Sequence, residues 1–208
     1  MSSRVNVERK AIFLHVPKNA GRSITRALRQ AGGYTSPPYG SVDHDFEMGW
    51  MEGETRRVQR AIGEDLWNEC FTFAFVRNPW DRLVSGWQYT RQVGKHQLTF
   101  GEFVKELPSL DISQEPEALE RAISTHWHAM PQADHLVVDG VVTVDFVGRV
   151  ETLDEDWRAI SERIGCDAAI PRVNTSDRGE YRDYYTDDLR AIVDERLHLD
   201  ATTFGYTF

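Results

Sequence analysis

The apolar positions of the chain change period several times, and the changes mark out alternating strands and helices. Ala11–Val16 is a short apolar run stopped by Pro17, the pattern of a strand buried on both faces. After a loop at Pro17–Ser23, Ile24, Ala27, Leu28 and Ala31 recur at i, i+3, i+4 and i+7, which predicts a helix ending at Gly32-Gly33. Residues 34–53 carry Pro37-Pro38 and scattered glycines without any period, and read as a loop. Val58, Ala61, Ile62 and Leu66 predict a helix over Glu54–Trp67, and Phe71–Val76 a second buried strand. Asn78-Pro79 then opens a helix with Leu83, Val84 and Trp87 on its core face. Asn78 suits the N-cap and Pro79 the first turn.

Further along, Thr99-x-x-Glu102 is a capping box, opening a short helix that stops before Pro108. A helix is expected from Pro116 to about His128. Strands are expected at Leu136–Val138 and Val141–Val147, around an Asp139-Gly140 turn. Leu153, Trp157, Ile160 and Ile164 mark a helix ended by Gly165. Val173–Tyr185 is polar and rich in arginine and tyrosine, and a last helix starts at Thr186 with Leu189, Ile192, Val193 and Leu197 inward. No repeat, low-complexity tract or shift of composition divides the chain, so residues 1–208 are expected to form a single domain. Strands alternating with helices give an α/β class with a mainly parallel sheet.

Composition narrows the functions available. Hydrophobic residues are 40% of the chain and aromatics 11%, a globular balance. A net charge of −9 argues against a general nucleic-acid binder, so an anionic ligand would need a local basic pocket. The two cysteines, Cys70 and Cys166, make no disulfide framework and point to a reducing compartment. Met1–Lys10 is polar and charged, and no stretch approaches the length of a membrane span. The expectation is a soluble cytoplasmic protein with no nucleic-acid partner.

The loop Pro17-Lys18-Asn19-Ala20-Gly21-Arg22-Ser23 has the makings of an anion site. Ala20 and Gly21 let backbone approach a ligand closely. The N–H groups opening the next helix have no partners inside it, and the helix dipole favours negative charge there. Lys18, Arg22 and Ser23 add charge and a hydroxyl. The order of residues is not that of a Walker A loop, which ends in Lys-Ser or Lys-Thr. By itself the loop suits any phosphate or sulfate group, and an ordinary strand-to-helix turn with a surface lysine would look similar.

The second strand ends in Phe75-Val76-Arg77-Asn78-Pro79-Trp80-Asp81-Arg82-Leu83-Val84-Ser85. With this segment the chain resembles the sulfotransferase superfamily that uses 3′-phosphoadenosine 5′-phosphosulfate (PAPS), in the branch of carbohydrate sulfotransferases and their bacterial relatives. Ile12 through Ser23 resembles the family's 5′-phosphosulfate loop, and Phe75 through Ser85 its 3′-phosphate motif. Asp145-Phe146-Val147-Gly148-Arg149-Val150-Glu151 with Asp156-Trp157 is similar to a third stretch, and Tyr185 through Phe208 to the family's C-terminus. The resemblance implies a P-loop-like three-layer fold with a mainly parallel central sheet flanked by helices. It also implies transfer of a sulfuryl group from PAPS to a hydroxyl of a carbohydrate or small-molecule acceptor, leaving 3′,5′-adenosine bisphosphate.

The same resemblance assigns roles. Lys18, Asn19, Ala20, Gly21, Arg22 and Ser23 would hold the 5′-phosphosulfate, and Arg77 with Ser85 the 3′-phosphate. Arg77 suits this task because its planar fork pairs with phosphate oxygens. Asp81 and Arg82 read instead as a solvated ion pair. Asn19 and Arg22 stand where the family commonly has threonines; Asn19 can still donate, and Arg22 adds a second positive charge. Arg178, with Gly179, is similar in type to the basic loop that covers the nucleotide. Lys18 would also stabilise charge on the leaving group.

A general base must take the acceptor's proton. His44, in Asp43-His44-Asp45-Phe46-Glu47, is the choice, with Glu47 as its alternative. His15 reads as a packed residue. His126 and His128, two apart on a helix, point away from each other, so no metal is expected with them or with His135. Tyr181, Tyr184 and Tyr185 are candidates for core or for the acceptor cleft. Two other readings compete. A P-loop phosphotransferase using ATP would want a magnesium-binding aspartate near the end of a core strand, where this chain has Arg77. A non-catalytic nucleotide-binding module would keep the pocket without the base.

Overall fold

The computed structural model describes residues 3–38, 53–107, 127–171 and 179–208. Their elements follow in chain order: β1 (Arg4–Asn6), β2 (Ala11–Leu14), α1 (Gly21–Ala31), α2 (Gly53–Ile62), α3 (Glu64–Glu69), β3 (Phe71–Val76), α4 (Pro79–Gln92) and α5 (Phe100–Glu106). A 3-10 turn at Trp127–Ala129 precedes α6 (Ala133–Leu136), β4 (Val137–Val138), β5 (Val141–Val142), β6 (Phe146–Arg149) and α7 (Leu153–Arg163). A 3-10 turn at Tyr181–Tyr184 leads into α8 (Asp187–Arg196) and α9 (His198–Phe204). Two compact units share these elements: Met1–Arg77 with Gln132–Thr175, and Asn78–Pro131 with Ser176–Phe208.

The first unit is built on a four-stranded sheet of order β1-β2-β3-β6. β2 pairs with β3 and β3 with β6 in parallel, while β1 runs antiparallel along the edge. The fold is therefore α/β with a mostly parallel central sheet. Alternate side chains explain the layers. Phe13, Phe73 and Phe75 point to one face and are buried with Ile24 and Leu28 of α1 and Trp157 and Ile160 of α7. Ile12, Leu14, Ala74 and Val76 point to the other and are equally buried. α2, with its buried Val58, lies against β2 and α6.

Several boundaries differ from the pattern in the sequence. β1 lies within the polar N-terminal stretch. It is a three-residue strand whose polar side chains are buried through hydrogen bonds: Asn6 Nδ2 donates to the Gly32 carbonyl at 3.2 Å. Val5 also exchanges two 2.9 Å backbone hydrogen bonds with Thr35. The helix expected over Glu54–Trp67 is two helices, because Gly63 takes φ 85°, a left-handed value that breaks the helical path. Val141–Val147 is two short strands. Val141–Val142 forms the expected hairpin with β4, and Phe146–Arg149 joins the main sheet. The last helix is interrupted at Leu197. Most of the helix expected from Pro116 to about His128 lies outside the described residues.

The third family-like stretch serves this framework. Asp145 Oδ2 accepts from the backbone N–H and the hydroxyl of Thr72, at 2.7 and 2.8 Å, which ties the start of β3 to the approach to β6. Asp156 Oδ2 accepts from Arg149 N and Thr152 Oγ1, both at 2.7 Å. Trp157 Nε1 donates to the Ala168 carbonyl at 2.9 Å.

The second unit is helical. Trp80, Leu83 and Trp87 of α4 pack with Phe100 and Phe103 of α5 and with Leu189 and Val193 of α8. Tyr181, Tyr184 and Tyr185 pack against this core. The chain's last residues close over the start of α4. The Phe208 ring meets Trp80, Tyr181 and Tyr185 edge-on, and Asn78 Nδ2 donates to the Thr207 carbonyl at 3.1 Å. Arg82 is not solvated. It is fully buried on α4 and donates to the Met130 carbonyl at 2.7 Å, because its stem lies on the core side of the helix. Both cysteines are free and buried. Among the described residues, no helix is long and apolar enough to cross a membrane.

Candidate active site

The loop after β2 leaves the sheet at the C-terminal ends of the parallel strands, where open α/β sheets bind their ligands. Lys18 and Ala20 both adopt left-handed backbone, φ 70° and 56°. Left-handed residues alternating with ordinary ones bring successive backbone N–H groups towards a common point, the conformation of an anion nest. Ala20 is the N-cap of α1, and no side chain caps the helix. Its first-turn N–H groups thus lack intrahelical partners at the end where the dipole is positive. Lys18 is half-buried, Arg22 exposed and Ser23 buried.

Gly21 is needed for a reason the sequence does not display. A Cβ there would lie 2.2 Å from Cδ2 of His15, so the imidazole occupies the space over Gly21. His15 also stands edge-on to Phe13, with ring centroids 6.2 Å apart, and its backbone N–H donates to Ser3 Oγ at 2.9 Å. It is a packed residue at the base of the loop.

The loop is tied to the end of β3 through one side chain that sequence reading passed over. Gln132 is fully buried. Its Oε1 accepts from Asn19 Nδ2 at 2.7 Å and from Arg77 N at 2.9 Å, and its Nε2 donates to the Arg77 carbonyl at 2.8 Å. Asn19 Nδ2 also donates to the Phe75 carbonyl at 2.8 Å. Both Asn19 N–H bonds are thereby used inside the protein, and the residue is 1% exposed. Its side chain anchors the loop, leaving the backbone as its means of meeting a ligand. Arg77 Nη1 reaches to 3.5 Å from the Lys18 carbonyl oxygen, a long contact. Gln132 belongs to no motif, and only the fold brings it beside Arg77.

Six loop residues and Arg77 therefore come together at the C-terminal end of β2 and β3. Ser85 sits in the second unit, half-buried on α4. The start of that helix is fixed as expected: Asn78 Oδ1 accepts from Trp80 N at 3.1 Å and Asp81 N at 3.3 Å, with Pro79 in the first turn. His44, Glu47, His126 and Arg178 lie outside the described residues. His128 packs against Tyr89 in the second unit, at 4.7 Å between centroids, whereas His135 is buried in the first. No group of three or more His, Cys, Asp or Glu that could hold a metal occurs among the described residues.

Burial raises the pKa of the Cys70 thiol, with Glu69 adding to the effect, and leaves it a poor nucleophile. The chemistry available in the loop is that of cations, backbone N–H groups and hydroxyls converging on an anion.

Comparison with known proteins points the same way. The model of a family described as the sulfotransferase family matches residues 2–207, spanning both units. An uncharacterized protein of Archaeoglobus fulgidus is 29% identical over 127 residues, covering 60% of this chain and 93% of its own length. The crystal structure of a sulfotransferase from Alicyclobacillus acidocaldarius superposes with a TM-score of 0.50 at 17% identity. That match covers 94% of this chain and 96% of the other, a likeness of fold.

Proposed function

The chain belongs to the sulfotransferase family, and from that premise we propose that it transfers the sulfuryl group of PAPS to a hydroxyl of a carbohydrate or small-molecule alcohol. The observation that carries this reading is the tie among Asn19, Gln132 and Arg77, which holds two cationic sites in one frame. The uncapped start of α1, with Lys18, Arg22 and Ser23, suits the 5′-phosphosulfate. Arg77 suits the 3′-phosphate. Two phosphate sites fit the bisphosphate better than ATP. An arginine after β3 also leaves no carboxylate there for magnesium.

In the transfer, the acceptor oxygen attacks sulfur. A new S–O bond forms as the bond from sulfur to the 5′-phosphate oxygen breaks, and 3′,5′-adenosine bisphosphate departs with the electron pair. Catalysis of such an in-line displacement rests on positioning and charge stabilisation. Lys18 offsets charge on the departing phosphate, and His44, or Glu47 in its place, accepts the acceptor's proton. Arg178 covers the nucleotide. Residues 1–208 act as one sulfotransferase domain, consistent with a family match that runs through both units. Two buried, free cysteines fit a cytoplasmic setting. Incubation with sulfur-labelled PAPS and a panel of sugars and small alcohols tests the reading. Label should pass to an acceptor and be lost with Lys18→Ala; binding of PAPS without transfer to any acceptor would identify a nucleotide-binding module instead.

A further inference from the structure

A cavity of about 430 Å³ in the first unit is lined by Arg4 of β1 and by Arg22, Thr25, Arg26 and Arg29 of α1. The four α1 positions fall at i, i+3, i+4 and i+7, one face of the helix. Four guanidinium groups around one cavity run against the charge of the chain, which is −9 overall. No carboxylate among the described residues pairs with Arg22, Arg26 or Arg29. Arg22, Arg26 and Arg29 are exposed; like charges one helical turn apart still repel, and an anion among them would relieve that repulsion.

Thr25 lines the same space. Thr25 is 5% exposed, and its hydroxyl oxygen is buried without a hydrogen-bond partner among the described residues. Threonines inside helices commonly donate to a carbonyl one turn back, and a buried hydroxyl left unpaired is costly. That oxygen is covered on all sides, so Thr25 forms part of the cavity floor without opening its hydroxyl into it. Arg4 is already set in place: it is 6% exposed, with Nη1 donating to the Ser3 carbonyl at 3.4 Å and to the Ser36 hydroxyl. Guanidinium forks match the oxygens of tetrahedral anions. The volume falls within the roughly 300–1,000 Å³ of small-molecule sites, so it admits more than a bare ion.

We propose that this cavity binds a sulfate or phosphate group at a site separate from the donor loop, with Arg4, Arg26 and Arg29 supplying charge and guanidinium donors. Arg22 stands at the border, belonging to the loop and to the cavity wall. The group is either a free ion or the head of a small organic ester.

The test is a nitrogen-15 NMR titration that follows the Thr25 amide and the side-chain Nε–H signals of Arg26 and Arg29. The protein is first saturated with 3′,5′-adenosine bisphosphate, then titrated with inorganic sulfate, inorganic phosphate, phenyl sulfate or phenyl phosphate. Saturable shifts at these three residues are expected. Tighter binding of the phenyl esters assigns an ester head-group, and equal binding a free ion. The double variant R26A/R29A should weaken binding at least about tenfold while leaving the affinity for bisphosphate intact. Absence of saturable shifts up to about 20 mM overturns the proposal. So does binding unchanged in R26A/R29A, or bisphosphate alone saturating these signals, which would make the cavity part of the donor site. Failure of bisphosphate to bind at all would strike the proposed function, and the anion titration of the unliganded protein would still decide this one.

Discussion

Replacing Gln132 by alanine perturbs the link between the loop and the end of β3 without substituting any residue assigned to the nucleotide. The side chain is fully buried and makes hydrogen bonds of 2.7, 2.9 and 2.8 Å. Its removal takes these three hydrogen bonds away from the Arg77 N–H, the Arg77 carbonyl and one Asn19 N–H. A buried polar group left unpaired costs about 1–3 kcal/mol, and water entering the vacated space recovers part of it, so a loss near 3 kcal/mol is expected. Against a typical stability of about 5–15 kcal/mol the variant still folds. Arg77 and the Lys18 carbonyl would no longer share a fixed frame, and the dissociation constant for 3′,5′-adenosine bisphosphate should rise about tenfold. Urea unfolding followed by circular dichroism gives the first quantity and calorimetric titration the second. Stability within about 0.5 kcal/mol of the unmodified protein would refute the hydrogen-bond reasoning. A clear loss of stability with unchanged affinity would leave Gln132 a structural residue alone.

Three other substitutions address single parts of the site. Lys18→Ala should lower turnover at least about 100-fold, with bisphosphate affinity changed only a few-fold, as steady-state kinetics and calorimetry would record. Arg77→Ala should weaken bisphosphate about tenfold or more but leave 5′-adenosine monophosphate nearly unaffected, since only the former carries a 3′-phosphate. Gly21→Ala places a methyl group 2.2 Å from His15 Cδ2 and should cost about 1–3 kcal/mol in urea unfolding, with part of the loss recovered in the double variant H15A/G21A.

The sheet core was legible because strands buried on both faces leave unbroken apolar runs, as in Ala11–Val16 and Phe71–Val76. The capping box at Thr99 and the Asn78 cap were legible because each is a local exchange of hydrogen bonds written in a few residues. β1 was not, since its burial depends on Asn6 and Arg4 finding partners some thirty residues away. Arg82 was misjudged for a related reason: its charge suggests solvent, yet its helix position faces the core. In the site, the loop and Arg77 stood out by type and spacing. Gln132 did not, because an isolated glutamine carries no pattern and its partners lie 113 and 55 residues away. Gly21 is legible as a small residue that lets backbone approach a ligand, but its second requirement, space for the His15 ring, is not, because no local pattern shows that packing. The division into two compact units left no trace in composition, since both halves mix helices with aromatic cores.

The proposed mechanism requires that the loop at Lys18 and the site at Arg77 recognise a nucleotide with phosphates at both the 3′ and 5′ positions. Calorimetric titration of the intact protein with 3′,5′-adenosine bisphosphate and, separately, with ATP and magnesium tests it most directly. Saturable one-to-one binding of the bisphosphate is expected, independent of magnesium and at least about tenfold tighter than ATP. Tighter binding of ATP, dependent on magnesium, would contradict it.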